Sequence, residues 1–499
     1  MKQKPFFSSY IPYRRDKRSL TAMILLTSWL VLIPYRSHAQ EPIRRVNLSA
    51  ALYSALQNNT KIKEFREKTE QKKYLKKSAV GNFFPSISVN GGFSWMSQNP
   101  EVNMSLLKGS IDDLMTNYGS ILGESLQLPP GEQMILAKTL AGIKRLPSQN
   151  LNIDQQNYPN LNFTLMQPLF TGGKLIAGKK YANAEWNYSN DELRQTKNKI
   201  IKETIDRYYA VVLLKTVVKT RKQVLAGMKR HEQETEKAIK TGMLPPYTRL
   251  RAEVAVANAQ RDLSDDENRL QLAKLALKTS MGIKQNTPIE VTGTLRFQAC
   301  PLNLEWLQRE AKNTQPLFKM IEQKKIMVKQ NRNLKIAEFL PQIGIWGTYS
   351  TFRNKYPVIP PPFMVGIQAR INLFRGGKKF NNLKAAQHLQ KEVEAADQYA
   401  HQQINLWIDK SYRQVLNNEE RYRKLQPTIA LAKRNYAITE KRFHEGMAKS
   451  IDVIDARLMY EKVRIEADKT LYDYYVSLSN LYLATGNLQK LTSILIHQQ

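Results

Sequence analysis

The sequence predicts an α+β protein built from two tandem structural repeats, in which strands of alternating pattern are joined to very long helices. Three observations predict it. Segments of about ten residues alternate apolar and polar side chains and end in aromatics, the pattern of a barrel strand with one face in lipid. The runs between them are helix-forming and far longer than a globular core requires. The second half of the chain then restates the first at a constant offset of 204 residues, as Gly242-Met243 against Gly446-Met447.

Residues 1–39 stand apart. Arg14, Arg15, Lys17 and Arg18 precede the apolar run Leu20 to Ile33, and Ser37-His38-Ala39 is a small-x-small cleavage pattern. A run of that length is short for a spanning helix, so a secretory signal peptide is expected, with an uncleaved anchor as the alternative. Without it the formal charge falls from +33 to +27, because seven Lys/Arg and one Asp leave with it. A basic exported chain whose cations are dispersed among acids implies solvated helix faces and no nucleic-acid partner. Attraction to the phosphates of an outer-leaflet lipid surface is a secondary reading. Cys300 is the single cysteine, so no internal disulfide forms, and six scattered His lack metal-ligand spacing. Neither a metal nor a cofactor is expected.

The first repeat, residues 40–285, opens with helical patterns at Leu48–Leu56 and Ile62–Val80 that end at Pro85. From Ser86 the period becomes two: Ile87, Val89, Gly91, Phe93 and Trp95 alternate with Ser86, Ser88, Asn90, Gly92 and Ser94. A soluble sandwich strand shows the same alternation, so one strand does not decide. Residues 97–158 form a long insertion with a short helix expected near Gly131 to Ile143 and a turn at Pro159. A second strand, Leu161 to Met166, runs into Leu169-Phe170-Thr171-Gly172-Gly173-Lys174, where the two glycines permit a sharp strand-to-helix turn. Leu175 to Lys240 is free of proline and spans roughly 100 Å as a helix, a length that a coiled coil or a tube of stacked helices can bury. The tip at 241–247 reverses the chain into Tyr247 to Met281.

The second repeat, 286–499, begins with short elements over Glu290 to Pro316 that are expected to form a belt around the helices. Strands follow at Gln342–Thr351 and Phe363–Ile371, joined by the Pro-rich loop Tyr356 to Pro362. Leu373-Phe374-Arg375-Gly376-Gly377-Lys378 copies the earlier turn. The second long helix contains Pro427, which should kink or interrupt it, and its tip lies at 444–451. The tail after Asn487 is short. From the Gly376-Gly377 turn onward the 204-residue register is kept, as Tyr208 with Tyr412, Ala252 with Ala456 and Gly282 with Gly486, which argues for duplication.

The order of these motifs, given twice, resembles the TolC family of outer-membrane efflux proteins across essentially the whole mature chain. The resemblance implies a homotrimer in which four strands from each subunit close one 12-stranded outer-membrane β-barrel, continued by a periplasmic α-helical barrel. It implies a passive exit duct of a tripartite efflux or type I secretion system. The hairpin tips Gly242, Met243, Gly446 and Met447 would dock a periplasmic adaptor that connects to an inner-membrane pump. It also implies a constriction formed by Asp452 and Asp455 on the returning helix of the second hairpin, with Phe443 at an aromatic position. Two departures bear on the gate. Thr248 and Arg251 stand where the second tip has the two acids, and Ala448 stands where some relatives have a basic residue.

On residue chemistry alone, Asp452 and Asp455 at i, i+3 share a helix face. Under threefold symmetry they would form a ring of six carboxylates, which favours cations, raises some carboxyl pKa values and titrates as a coupled set. The plainer reading is that Asp452 caps the helix and Asp455 is solvated. Tyr472, Tyr474 and Tyr475 read as packing between helices. No constellation suggests an enzyme. The alternative function is a non-channel secreted coiled-coil envelope scaffold, which a conducting, detergent-extracted trimer would exclude.

Overall fold

The computed structural model describes residues 44–98, 101–102, 105, 108–114, 129–144, 151–152, 156–352 and 361–496. The signal-peptide expectation at 1–39, much of the 97–158 insertion and most of the Tyr356–Pro362 loop lie outside them.

The elements run β1 (Arg44–Val46), α1 (Leu48–Asn58), α2 (Thr60–Gly81), β2 (Ser86–Trp95), β3 (Glu101–Val102), α3 (Pro130–Lys144), β4 (Leu151–Asn152) and β5 (Asn157–Phe170). They continue as α4 (Lys174–Lys240), α5 (Tyr247–Met281), β6 (Ile289–Val291), α6 (Leu304–Thr314), α7 (Pro316–Ala337), β7 (Gln342–Ser350), β8 (Phe363–Arg370), α8 (Lys378–His444), α9 (Ser450–Thr485) and α10 (Leu488–Ile496). The helix α4 and its counterpart α8 are each 67 residues long, so the duplication is kept to the residue over these shafts.

Four strands pair antiparallel in the order β2-β5-β7-β8. Their register aligns the alternation across the sheet. Ile87, Leu165, Gly347 and Val365 form one row, and Val89, Phe163, Tyr349 and Phe363 the next, all on one face. The opposite face carries rows such as Ser88, Thr164, Thr348 and Met364, with Thr164 and Thr348 hydroxyls 3.3 Å apart. One face is therefore apolar and exposed, the other largely polar, and the outer edges of β2 and β8 are unpaired in the chain. Such an open, apolar-faced sheet is not a stable object in water.

Pro159, expected at a turn, lies inside β5 opposite Phe93. β5 is paired to β7 only from Asn162 onward, so at Pro159 one edge is open and its missing N–H breaks no ladder on that side. Pro168 sits where β5 has lost β2 as a neighbour, next to a bulge. Pro427 does not interrupt α8, which runs through it as helix. The expected short helix in the insertion is α3, and the tail forms α10.

The strand-to-helix turns use left-handed glycines in both repeats: Gly172 (φ 62°) and Gly173 (φ 83°), then Gly376 (φ 55°) and Gly377 (φ 72°). Gly172 also has no room for a side chain, because a Cβ there would lie 2.7 Å from Leu340 Cβ.

The belt is the main core. The parallel pair β1 and β6 joins the chain's start to its middle, and α1, α6 and α10 wrap the mid-shafts. Leu48, Ile205, Tyr208, Leu277, Ile408, Leu481 and Leu491 are fully buried there. Tyr209 stacks on Tyr475 at 4.5 Å, and the Tyr474 hydroxyl donates to the Gln298 carbonyl at 2.9 Å, so these tyrosines do pack helices together. Cys300 is half-buried beside them, its N–H donating to the Tyr474 oxygen at 3.2 Å. Below the belt the shafts pair as α4 with α5, α4 with α9, and α8 with α9.

Candidate functional site: the hairpin tips and the seam between them

The two tips share one backbone solution. Gly242 (φ 74°) and Gly446 (φ 75°) end their helices in the left-handed conformation that an L side chain resists. Met243 N–H donates to the Ala238 carbonyl, and Met447 N–H to the Arg442 carbonyl, each at 2.8 Å and each five residues back. Met243 and Met447 are exposed at the ends of the molecule. The tips lie side by side: Lys237, Met243 and Leu244 of the first line a cleft of about 260 Å³ with Phe443, Gly446 and Ala448 of the second.

What joins the hairpins is an antiparallel seam between α4 and α9. At the tip, His231 Nε2 and Ser450 Oγ are hydrogen-bonded at 2.7 Å, and the His231 ring lies 4.8 Å from Phe443. Burial holds the His231 pKa below its ordinary value, the neighbouring Arg457 and His444 add to that effect, and Ser450 and Glu440 oppose it. Two turns on, Arg457 donates to the Gln223 carbonyl at 2.8 Å and to the Tyr436 hydroxyl at 2.6 Å, and Tyr436 donates to Glu440. Arg457 lies flat over Gly227, where a Cβ would come within 1.8 Å of the guanidinium carbon. Farther along, Arg221 meets Asp266 at 3.0 Å, Asp262 at 3.2 Å and Glu461, whose side chain is 4% exposed. Burial raises the Glu461 carboxyl pKa, and Arg221 opposes the shift. A pair this enclosed is strongly destabilised when either partner is removed, because the other charge is left buried.

The acids lie on the far side of the same helix. At about 100° per residue, Ser450, Arg457 and Glu461 fall within about 40° of one another, whereas Asp452 and Asp455 lie roughly 140–200° round the axis. Both are exposed. Asp452 Oδ2 accepts from the Lys449 N–H at 2.9 Å, so the capping role is occupied. Asp455 lines the rim of a groove of about 460 Å³ with Leu250, Arg251 and Val254 of α5, a groove whose other wall is the seam residues Arg221 and Glu461. Phe443 is 8% exposed, wedged between the hairpins. Thus the acids share a free face, and Phe443 belongs to the seam.

Sequence reasoning missed His231, Ser450, Gly227, Arg457, Arg221 and Glu461. The available signal was the heptad spacing of Ser450, Arg457 and Arg464, a polar stripe on a helix expected to pack. Among the described residues no group of acids, His and Cys is arranged to hold a metal ion, and no helix is long and apolar enough to cross a membrane.

Residues 136–283 and 307–487 match the family described as outer membrane efflux protein. No curated protein matches the chain. Among solved structures, the outer membrane channel CmeC of Campylobacter jejuni superposes with a TM-score of 0.71 at 13% identity, covering 88% of this chain and 86% of that one. The outer membrane protein VceC of Vibrio cholerae gives 0.68 at 15%, covering 88% and 96%. The open state of the Neisseria gonorrhoeae MtrE outer membrane channel gives 0.65 at 16%, covering 88% and 89%. At these identities the likeness establishes the fold.

Proposed function

The chain belongs to the outer membrane efflux protein family, and on that premise we propose how this outer-membrane exit duct, which extends into the periplasm and is not an enzyme, is assembled and gated. Three copies close a 12-stranded barrel, four strands from each, with α4, α5, α8 and α9 of each copy continuing as a helical tube. The observation that carries this is the sheet itself. Its apolar rows need lipid, and in lipid an open edge on β2 or β8 is untenable, so other copies must pair with both edges. Ten-residue β2 is long enough, tilted, to span the hydrocarbon. The polar rows then line a water-filled lumen.

Asp452 and Asp455 form the constriction, a ring of carboxylates on the face that the α4–α9 seam leaves free. The tips at Gly242-Met243 and Gly446-Met447 dock a periplasmic adaptor leading to an inner-membrane pump. Their exposed methionines suit a partner surface, being apolar and adaptable. Ala448 brings no charge to the second tip, and the tie between hairpins is made by His231–Ser450 and Arg457–Gln223.

The test is direct. Full-length protein is expected to require detergent for extraction, to run as a trimer, and to conduct ions in a planar bilayer. A protein that purifies as a soluble monomer would sink the proposal.

A further inference from the structure

The positive charge of this chain is unevenly answered. Along the shafts, cations have acidic partners, such as Lys202 with Asp206, Arg413 with Asp409, Arg423 with Glu419 and Lys424 with Glu420. At the sheet end acids are scarce. Residues 71–100, 155–184 and 339–391 contain no Asp or Glu, yet they hold the sheet-side ends of α2, α4 and α8; at the end of α7 the one acid, Glu338, is already paired with Lys335. Lys174, Lys179 and Lys180 on α4, and Arg375, Lys378 and Lys384 at the head of α8, are exposed. None of the six takes part in the ion pairs found among the described residues.

They lie at one level. Lys174 and Lys378 head their helices, and Lys180 and Lys384 come six residues later, so the helical members fall within roughly 10 Å along the axis. Two N-termini (α4, α8) and two C-termini (α2, α7) point toward the sheet here, so helix dipoles offset one another and the net field comes from the side chains. The same level exposes large apolar groups: Leu373 is 86% and Phe374 84% exposed, with Phe84 and Phe380 also exposed. Lys384 sits 4.6 Å from the centre of the Phe380 ring. Cations interleaved with exposed aromatics, adjoining lipid-facing strands on the helix side, fit a membrane interface.

We propose that this collar binds the headgroups of anionic phospholipids in the periplasmic leaflet of the outer membrane. The inference rests on the outer-membrane placement given above. A free phosphate would satisfy the cations and leave Leu373 and Phe374 uncovered, whereas a lipid covers both.

The test uses the full-length protein in uncharged detergent, with dioleoyl-phosphatidylglycerol and dioleoyl-phosphatidylcholine offered at equal concentration and bound lipid counted by native mass spectrometry. Phosphatidylglycerol is expected to be retained at least about tenfold better. The preference should disappear in a variant carrying Lys174→Gln, Lys179→Gln, Lys180→Gln, Arg375→Gln, Lys378→Gln and Lys384→Gln. Should that variant not assemble, the unmodified protein decides: its preference must fall steeply as salt is raised. Equal retention of the two lipids by a protein that assembles and conducts overturns the collar while leaving the duct intact. Displacement of phosphatidylglycerol by millimolar glycerol phosphate would show a general phosphate surface, and also overturns it.

Discussion

Replacing Gly227 by alanine separates the energy of the seam from the energy of the helix. The added methyl would sit 1.8 Å from the Arg457 guanidinium carbon, and Arg457, as the far end of a flexible side chain, is what must move. Moving it breaks the 2.8 Å bond to the Gln223 carbonyl and the 2.6 Å bond to the Tyr436 hydroxyl. Hydrogen bonds from a charged donor contribute about 1.5–3 kcal/mol each when well buried, and part-exposure of Arg457 lowers each to about 1, so the pair contributes about 2 kcal/mol together. Against this, Gly→Ala inside a helix gains about 1 kcal/mol in α4. The melting temperature should therefore barely move. Hairpin separation should become easier by roughly thirtyfold, since 1.4 kcal/mol is a factor of ten and the helix gain is kept after separation. Hydrogen exchange over residues 450–464 and single-channel open probability in planar bilayers read this out. Because the effect runs through Arg457, the double variant Gly227→Ala/Arg457→Ala should be no worse than Arg457→Ala alone. Full additivity, or unchanged exchange and open probability in Gly227→Ala, would refute the reasoning.

Four further outcomes are expected. Gly282→Ala and Gly486→Ala should each lower the melting temperature, because both glycines are left-handed (φ 67° and 77°) and a Cβ would lie 2.5 Å from the backbone of Asn58 or Gln315; the left-handed penalty alone is about 1–2 kcal/mol. Combining Asp452→Ala with Asp455→Ala should weaken cation preference in reversal-potential measurements, and unchanged selectivity would defeat the constriction. His231 is held neutral by burial, with its pKa lowered. Its contribution is thus complete above the ordinary histidine value of about 6.5 and is lost as pH falls below that value, until the lowered pKa is reached. The hairpin seam should loosen on acidification, as followed by exchange at 450–457, and His231→Gln should flatten that response; an identical pH profile would count against the latch. Finally, Leu250→Cys with Leu431→Cys, in a Cys300→Ser background, should cross-link between chains with a short bismaleimide, whereas cross-links only within a chain would contradict the ring order.

Much of the fold was legible because its signals are local and repeated. The period-two run at Ser86–Trp95 and the helix from Tyr247 to Met281 are fixed by alternation and by Gly242 and Gly282, whose backbone needs leave little choice. Pro159 and Pro427 misled for the same physical reason. A proline is a breaker only where its missing N–H or its ring conflicts with a neighbour, and the sequence does not show that β5 has an open edge at Pro159. The seam was hidden because its members are polar and distant: His231 and Ser450 are 219 residues apart, and Arg221 and Glu461 240 apart. Asp452 and Asp455 were visible as a pair, yet only the register of α9 on α4 shows that they share its free face.

The duplication carries one consequence to the assembly. Helices α4 and α9 pack with residue numbers that sum to 681, as His231 and Ser450 do. Shifting each by the 204-residue repeat turns α4 into α8 and α9 into α5 and leaves the sum unchanged. Within the chain α8 and α5 form no comparable seam. Their faces are instead exposed and apolar, with Leu431 on α8 and Leu250 on α5 both more than half exposed and themselves summing to 681. A second copy that places its α5 on this α8 buries both and repeats the order α5, α4, α9, α8 around a closed ring. The substitute seam lacks the ties of the first, since Leu425, Leu431 and Asn435 stand where α4 has Arg221, Gly227 and His231. In the proposed ring the contacts between copies would be less ionic than those within a copy, where Arg221–Glu461 and His231–Ser450 accompany the apolar cluster of Val224, Met228 and Ile454, so acid or salt should loosen the hairpins of each subunit before it separates the subunits.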